Sequence, residues 1–208
     1  KEELTKGTRK NYVAMLEDMD REVGRILTSL DKRGMTDNTL VVFASDHGAI
    51  VPGSNDPFRG FKSGLFEGGI RTACLMRWPG RLPPGVVSDQ PTITMDLTTS
   101  FIHAGAGRTP TDYKTDGIDI VGHLSNRQPV KERTLAWRAK RGDRVWRAIR
   151  RGDWKFVTRL EEGKQERWLF NLKKDPGEQV NLASDDTQRT SQLSELLSAW
   201  EKETKSVR

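Results

Sequence analysis

Thr39-Leu-Val-Val-Phe-Ala-Ser45 is the stretch of sequence that decides the fold, and Asp46-His47-Gly48 follows it directly. Its five consecutive apolar residues, including two Val and a Phe, predict a buried parallel strand of an α/β sheet. Polar residues that come after such a strand lie where open α/β sheets bind ligands. A carboxylate beside an imidazole suits a divalent metal, although a simple turn with a capping aspartate would also explain Asp46 and His47.

A glycine-rich segment from Gly60 to Arg71 comes next, and it holds Lys62 between two glycines. Glycines permit positive φ and allow the backbone to approach a ligand closely. The lysine can deliver a compact positive charge to a bound anion. The sequence therefore predicts an anion-binding loop shortly after Asp46 and His47.

Residues 8–31 predict a helix, because apolar side chains recur at spacings of three and four and so share one face. Acidic residues beside this stripe could suggest a metal site, but a solvated helix face is the better interpretation. The stripe consists of Leu16, Met19, Val23, Ile26, Leu27 and Leu30, and the acidic residues are Glu17, Asp18, Asp20 and Glu22.

Two further elements follow the glycine-rich segment. Residues 72–78 predict a buried strand, and residues 92–104 predict a helix. The only cysteine, Cys74, lies in this strand and is expected to be a buried structural residue. A single cysteine excludes an internal disulfide, and no apolar run approaches the ~20 residues of a membrane span. The inward side chains of the helix are predicted to be Leu97, Phe101 and Ile102.

The stretch from Lys131 to Arg159 holds eleven Lys or Arg against three acidic residues, whereas the whole chain has a net charge of +6. Interleaved tryptophans are typical of proteins that bind single-stranded nucleic acid. We favour an antiparallel sheet whose aromatics face a helix and whose arginines face water, and we do not expect a nucleic-acid partner. The predicted strands are 133–139, 144–150, 153–160 and 167–172, the tryptophans are Trp137, Trp146, Trp154 and Trp168, and the covering helix presents Leu193, Leu196, Leu197 and Trp200.

Over nearly its whole length, the sequence closely resembles the sulfatases of the alkaline phosphatase superfamily. The resemblance begins with Ser45-Asp-His-Gly48 and continues through Gly60-Phe-Lys62 and Phe66-Glu-Gly-Gly-Ile-Arg71. Further blocks follow in the same order as in that family. They are Trp78-Pro-Gly80, Asp96-Leu97 with Ala104-Gly105, Asp116-Gly-Ile-Asp119, Ala148-Ile-Arg-Arg-Gly-Asp-Trp-Lys155, and Asp175-Pro-Gly-Glu178 with Asn181-Leu182.

The resemblance implies a metal site and a sulfate-binding lysine at the matching positions. Asp46 and His47 would be metal ligands, with His47 in a place that is often Asn. The metal would be Ca²⁺. Mg²⁺ and Mn²⁺ remain alternatives because His47 offers an imidazole nitrogen as a ligand. Lys62 would contact the sulfate and the leaving oxygen, and Arg71 would hold the loop by hydrogen bonds.

The resemblance also indicates what the 208 residues do not contain. Sulfatases use a formylglycine nucleophile, made from the Cys or Ser of a Cys/Ser-x-Pro-x-Arg motif, and this sequence has no such motif. The paired N-terminal aspartates that complete the family's metal site are missing too. We therefore expect the C-terminal half of a sulfatase, whose missing N-terminal half is a necessary partner. We expect the isolated chain to be inactive.

The expected fold is α/β. Residues 1–125 would form the C-terminal part of an alkaline-phosphatase-like parallel sheet with flanking helices, and residues 126–208 a small four-stranded antiparallel sheet with a C-terminal helix. The expected reaction is hydrolysis of a sulfate ester, an anionic glycan being one candidate substrate. The compartment stays open, although the family resemblance is compatible with a periplasmic or extracellular protein. Two alternatives also stay open: a phosphonate or phosphodiester hydrolase of the same superfamily, and a noncatalytic module that binds polyanions through residues 131–159.

Overall fold

The computed structural model describes residues 7–108 and 115–205, which form two compact units. Of the described residues, unit 1 contains 7–9, 45–72 and 132–205. Unit 2 contains 10–44, 73–108 and 115–131. None of the helices in the described ranges combines the length and the hydrophobicity that a membrane span requires.

Helices and strands alternate in the first part of the chain, and four consecutive strands precede the last helix. They are α1 (Arg9–Lys32), β1 (Val41–Ala44), α2 (Glu67–Ile70), β2 (Cys74–Arg77), α3 (Thr94–Ala104), α4 (Ile120–Ser125), β3 (Thr134–Arg141), β4 (Arg144–Arg151), β5 (Trp154–Glu161), β6 (Lys164–Asn171) and α5 (Thr187–Lys205). The longer helices and the strands agree with those that the sequence predicts, whereas the short helices α2 and α4 are not predicted.

The two strands of unit 2 pair in an antiparallel manner, which differs from the parallel strands that the sequence predicts. Ala44, the last residue of β1, lies opposite Cys74, the first residue of β2. Residues 45–73 therefore return to the same end of the sheet from which they depart. A connection of this kind produces antiparallel pairing, whereas parallel pairing needs a crossover to the far end of the strand.

Several apolar side chains that the sequence pattern assigns to a core are exposed in unit 2. They include Leu16, Met19 and Ile26 of α1 and Phe101 of α3. Cys74 is exposed as well, so the prediction that it is buried is wrong. Among the described residues β1 and β2 pair only with each other, and a two-stranded sheet can cover little apolar surface.

The acidic residues of α1 form a solvated helix face, as predicted. Asp18 pairs with Arg21 at 2.6 Å and Glu22 pairs with Arg25 at 2.8 Å, and all four side chains are exposed. Pairs three positions apart lie on neighbouring turns of a helix and stabilise it weakly. These contacts give the acidic residues a local role on the helix surface.

Unit 1 contains a four-stranded antiparallel sheet in the order β3-β4-β5-β6, which confirms the predicted sheet. Neighbouring strands are joined by two-residue turns. Gly142 and Gly152 take positive φ at the first position of their turns, and Glu162 and Gly163 both take positive φ in the third turn. Such conformations match the twist of the strands they connect, which is why the glycines in the sequence located the turns.

One face of the sheet packs against α5, as predicted. Ile149, Phe156 and Leu169 are buried against Leu193 and Leu197 of the helix. The helix contributes one apolar stripe, and the sheet contributes every second residue of its inner strands. Leu196 and Trp200 border this cluster, and so does Trp154, which is the one tryptophan of the sheet on this face.

The opposite face of the sheet carries most of the aromatic side chains and packs against the glycine-rich segment. Trp146 is buried against Leu65 and Phe66. This corrects the expectation that the tryptophans face the helix. Side chains three positions apart in a strand point to opposite faces, so Trp146 points away from α5 because Ile149 points toward it. The same cluster contains Phe170 and is bordered by Trp137 and Trp168.

Candidate active site

Asp46 and His47 lie side by side directly after β1. Oδ2 of Asp46 is 3.0 Å from Nε2 of His47, and Nδ1 of His47 is 3.0 Å from the carbonyl oxygen of Gly48. Because a carbonyl oxygen only accepts hydrogen bonds, Nδ1 carries the proton in this contact. Nε2 thus faces Oδ2 of Asp46. Both atoms have a free lone pair, so a shared proton or a bound cation would interact favourably with both. The Asp46 side chain is 81% exposed and therefore open to further groups.

Lys62 joins the same loop system through its backbone. Its N–H donates to the carbonyl oxygen of Ala49 at 3.3 Å. The side chain of Asn55 ties the two stretches together, since it accepts the N–H of Ala49 at 2.7 Å and donates to the carbonyl oxygens of Ala49 and Gly60. The Lys62 side chain is exposed. The structure therefore brings the backbone of Lys62 into contact with that of Ala49, which is two residues after His47.

Two adjacent glycines of α2, Gly68 and Gly69, support both stretches. Gly48 donates its N–H to the carbonyl oxygen of Gly69 at 3.0 Å, and a Cβ on Gly48 would lie 1.8 Å from the carbonyl oxygen of Gly68. A Cβ on Gly69 would lie 2.3 Å from the carbonyl oxygen of Gly64. No side chain fits in these contacts, so only glycine permits them. We call α2 and the two stretches that contact it, residues 46–49 and 58–64, the glycine hub.

The first residue of α2, Glu67, takes part in a buried ion cluster. Nζ of Lys155 in β5 is 2.8 Å from Oε1 of Glu67 and 2.9 Å from Oε1 of Glu178. Oε2 of Glu178 accepts the backbone N–H of Glu67 at 2.5 Å. The side chains of Lys155 and Glu178 have no solvent exposure, and that of Glu67 has almost none. We call these three residues the buried triad.

Burial raises the pKa of the Glu178 carboxyl above its ordinary value, and the Lys155 ammonium and the Glu67 N–H offset this effect only in part. Two arginines lie beside the buried triad. Nη1 of Arg59 donates to the carbonyl oxygen of Glu178 at 3.1 Å, and Nη1 of Arg71 is 3.7 Å from Oε2 of Glu67. Removing one partner from such a cluster leaves a buried charge unpaired, which costs about 3–5 kcal/mol.

Phe66 attaches the glycine hub to the aromatic face of the sheet. Its ring centroid is 5.2 Å from those of Trp146 and Trp168 and 6.0 Å from that of Phe170, with steep angles between the planes. The guanidinium of Arg59 lies over the Phe66 ring, 4.1 Å from its centroid. Aromatic pairs of this geometry contribute about 0.5–1.5 kcal/mol beyond their buried area. Trp146 and Trp168 thus hold Phe66, which ends the loop that carries Lys62.

Acidic residues offset much of the positive charge of residues 131–159. Several of the basic side chains make ion pairs with glutamates that come later in the sequence, and Lys155 is enclosed in the buried triad. The local charge count therefore overstates the electrostatic field of this region, which favours a structural sheet over a polyanion surface. The pairs with later glutamates are Arg144–Glu161, Arg147–Glu201 and Arg159–Glu166.

The sequence pattern does not identify the buried triad, although three of the quoted blocks each contain one of its members. Lys155 is the clearest signal, because it interrupts the apolar run Trp154-Lys-Phe-Val157 at an inward position. A charged residue there implies a buried partner. The partner could not be named from sequence, since Glu67 lies 88 positions before Lys155.

Asp46 and His47 fit a divalent metal site in part. Oδ2 of Asp46 and Nε2 of His47 are 3.0 Å apart, which is close enough for both to contact one ion. Within residues 7–108 and 115–205, however, no group of three or more His, Cys, Asp or Glu is arranged to hold a metal ion. A divalent ion bound here would find two donors in these residues, and its coordination sphere would need further ones.

Two family models cover the chain between them. The sulfatase model matches residues 2–107, and the model for the C-terminal part of N-sulphoglucosamine sulphohydrolase matches residues 61–205. The chain belongs to the sulfatase family. The resemblance drawn from its motifs is thereby confirmed.

Individual sequence relatives and solved structures support the assignment of this chain to the sulfatase family. Steryl-sulfatase of Rattus norvegicus is 36% identical over an alignment of 160 residues, and the match covers 66% of this chain and 28% of that protein. The crystal structure of Ps i-CgsB matches with a TM-score of 0.84 at 25% identity, over 94% of this chain and 43% of that chain. BT4656, in complex with its substrate D-glucosamine-2-N,6-O-disulfate, matches with a TM-score of 0.78 at 22% identity, over 94% and 40%. The chain thus spans less than half the length of each, and its predicted fold class is confirmed.

Proposed function

We propose that the protein containing this chain hydrolyses sulfate esters and that Asp46, His47 and Lys62 belong to its active site. The observation that carries this proposal is the hydrogen bond from the Lys62 N–H to the carbonyl oxygen of Ala49. This bond links the backbone of Lys62 to Ala49, two residues after His47, and so supports a shared site in which a cation and an ammonium group would act on one anion. Membership of the sulfatase family supports the class of reaction.

Asp46 and His47 would hold a divalent cation, with Ca²⁺ as the first candidate and Mg²⁺ or Mn²⁺ as alternatives. The support is that Oδ2 of Asp46 and Nε2 of His47 converge while Nδ1 is committed to Gly48. A bound cation would stabilise negative charge on the sulfate oxygens. The exposure of Asp46 leaves room for the additional donors that such an ion needs.

Lys62 would act on the substrate directly. Its exposed ammonium can donate to a nonbridging sulfate oxygen or to the leaving oxygen, where negative charge develops as the S–O bond breaks. Arg71 would hold the loop and would not contact substrate. Its guanidinium already lies 3.7 Å from Glu67 and 4.6 Å from the ring centroid of Phe58.

The nucleophile would be a formylglycine outside these 208 residues, because the sequence has no Cys/Ser-x-Pro-x-Arg motif. We therefore expect the purified 208-residue chain not to hydrolyse aryl sulfates, whether or not Ca²⁺ is added. Turnover by this chain alone would contradict the expectation. It would show that the nucleophile is one of these 208 residues.

Two substrate classes deserve comparison in the full-length protein. A sulfated sugar is one, because the structural neighbour BT4656 binds a disulfated glucosamine. An aryl or steryl sulfate is the other, because the chain is similar to a steryl-sulfatase. Relative kcat/KM values for D-glucosamine-6-sulfate and for 4-nitrophenyl sulfate would separate the two classes.

The central experiment compares Lys62→Ala with Lys173→Ala in the full-length gene product that contains this chain. Lys173 is an exposed lysine in the turn after β6 and serves as the matched control. Removing an oxyanion-stabilising group should lower kcat on 4-nitrophenyl sulfate by about 10²–10³-fold, and the control should keep its rate. Equal rates for the two variants would exclude Lys62 as an active-site residue. Faster turnover of a phosphonate monoester than of the sulfate would identify a phosphonate hydrolase instead.

A further inference from the structure

We propose that the buried triad is a positioning device for the hydrolytic site, in which Lys155 fixes α2 through Glu67 and α2 fixes both halves of the glycine hub. The inference rests on the proposed function for the roles of Asp46, His47 and Lys62. The triad residues are positioning residues, because their side chains are buried and contact one another, not a substrate. The proposal assigns a role to the C-terminal sheet in arranging groups that it does not itself carry.

The first step of the argument concerns the stability of α2. This helix has only four residues, and its N-cap, Phe66, makes no side-chain capping hydrogen bond. So short a helix is not stable by itself, and its first N–H groups need acceptors. Oε2 of Glu178 accepts the N–H of Glu67 at 2.5 Å and so replaces the missing cap. The carboxylate also lies at the helix N-terminus, where negative charge is favourable.

The second step concerns the contacts that spread from α2. On one side Gly48 donates to the carbonyl oxygen of Gly69 at 3.0 Å, and on the other Gly68 donates to the carbonyl oxygen of Arg59 at 2.7 Å. A Cβ on Gly68 would lie between 2.5 and 2.7 Å from three backbone carbonyl oxygens of residues 58–60. These backbone contacts leave no free space, so a shift of α2 must move residues 46–49 and 58–64 together.

The third step concerns the anchor. Lys155 belongs to β5, an inner strand that is hydrogen-bonded to β4 on one side and to β6 on the other. Its side chain is fully buried between two carboxylates. Apolar residues of similar volume can stabilise a protein as well as a buried ion pair does, but an ion pair also selects one geometry. We therefore infer that the charge of Lys155 fixes the position of α2 and does not serve stability alone.

The test compares Lys155→Met with Arg147→Met in the full-length product. Met keeps the length of the lysine stem without its charge. Arg147 is the matched control because it pairs with Glu201 of α5 at 2.7 Å, on the other face of the same sheet. Amide hydrogen exchange would be followed at the hub donors, which are Gly48, Lys62, Gly68 and Gly69. We expect Lys155→Met to raise exchange at these amides by at least about tenfold, and Arg147→Met to leave them unchanged.

Enzyme kinetics provide a second readout on the same variants. A displacement of about 1 Å can cost about 10²-fold in rate, so kcat per folded molecule should fall about 10–100-fold in Lys155→Met. Arg147→Met should remain within about threefold of the wild type, as partly exposed ion pairs contribute little. If both variants lose activity in proportion to lost stability, with unchanged exchange at the hub amides, the triad is only structural and the proposal fails.

Glu178 provides a second route if Lys155→Met does not fold. Glu178→Gln keeps an oxygen that accepts the Glu67 N–H, whereas Glu178→Ala removes it. We expect hub exchange near the wild-type rate in the first variant and at least about tenfold faster in the second. Equal exchange in the two variants would contradict the capping role. If the wild-type product hydrolyses no sulfate ester, the proposed function fails, and the exchange measurements alone still decide whether the triad positions the hub.

Discussion

The ring of Phe66 meets the ring of Trp146 edge to face, with 5.2 Å between the ring centroids and 77° between the planes. Phe66 directly precedes Glu67, whose carboxylate pairs with Lys155 of the same sheet. An apolar anchor and an ionic anchor therefore act on adjacent residues. Together they hold the start of α2, and with it the glycine hub, against the four-stranded sheet.

Replacing Phe66 by Ala should lower the free energy of unfolding by about 3–5 kcal/mol, because the ring is buried among three other aromatic rings. Phe61 lies in the same segment, and 55% of its surface is exposed. Phe61→Ala is thus the matched control and should change stability by less than about 0.5 kcal/mol. Urea denaturation followed by tryptophan fluorescence would measure both. Similar losses in the two variants would contradict the anchoring role of Phe66.

Gly68→Ala and Gly24→Ala should change stability in opposite directions. A Cβ at Gly68 would approach three backbone carbonyl oxygens at 2.5–2.7 Å, whereas a Cβ at Gly24 meets nothing within 4 Å. We expect Gly68→Ala to destabilise the protein by about 1–3 kcal/mol through overpacking. Gly24 lies inside α1, where Ala is favoured over Gly by about 0.8–1.0 kcal/mol. Thermal unfolding would reveal the signs, and a neutral Gly68→Ala would exclude tight packing at the hub.

The carboxyl of Glu178 should make stability depend on pH in a defined direction. Burial raises its pKa in the folded protein, so the folded state binds the proton more tightly than the unfolded chain does. The resulting stability is fully present below the unfolded pKa and is lost as pH rises through the raised folded pKa. As pH rises through the raised pKa of Glu178, the wild type should therefore lose stability relative to Glu178→Gln.

Urea denaturation at several pH values between about 4 and 8 would measure this difference in unfolding free energy. Glu17→Gln on the exposed surface of α1 is the control, and its difference from the wild type should not show the same fall. A difference between the wild type and Glu178→Gln that stays constant, or that grows in favour of the wild type with rising pH, would rule out a raised pKa for this carboxyl.

Calcium binding should depend on His47 in the full-length product. Losing a ligand should weaken the affinity for Ca²⁺ by at least about tenfold, the lower end of what even supporting residues of metal sites contribute. Titration calorimetry with CaCl₂ would compare His47→Ala with Asp20→Asn, which alters an exposed acidic residue of α1. An affinity unchanged in His47→Ala would exclude His47 as a metal ligand.

Local patterns predicted most of the secondary structure. The strand predicted at 144–150 is observed as Arg144–Arg151, and the helix predicted at 8–31 is observed as Arg9–Lys32. Hairpins are predictable because their turns, strand alternation and register all depend on neighbouring residues. The helix is predictable for the same reason, since its apolar periodicity lies within one segment.

Pairing and burial were less predictable, because they depend on residues far apart in the chain. The apolar run of β1 is compatible with either strand direction, and only its partner Cys74 shows that the pair is antiparallel. The sequence pattern assigned the tryptophans to the face that α5 covers, but only Trp154 borders that helix. The other three lie on the opposite face, and the sequence could not say which segment covers it. The glycine-rich segment does so through Leu65 and Phe66.

The sequence by itself determined the family, the order of the longer helices and the strands, and the short loops that carry Asp46, His47 and Lys62, since each is encoded in consecutive residues. Only the tertiary structure decided that three of the blocks that resemble the sulfatase family meet in one buried cluster. Glu67 lies 88 positions before Lys155 and 111 before Glu178. Buried charges must find partners inside the protein, but the chain's path in space, and not its spacing in sequence, determines which partners they are.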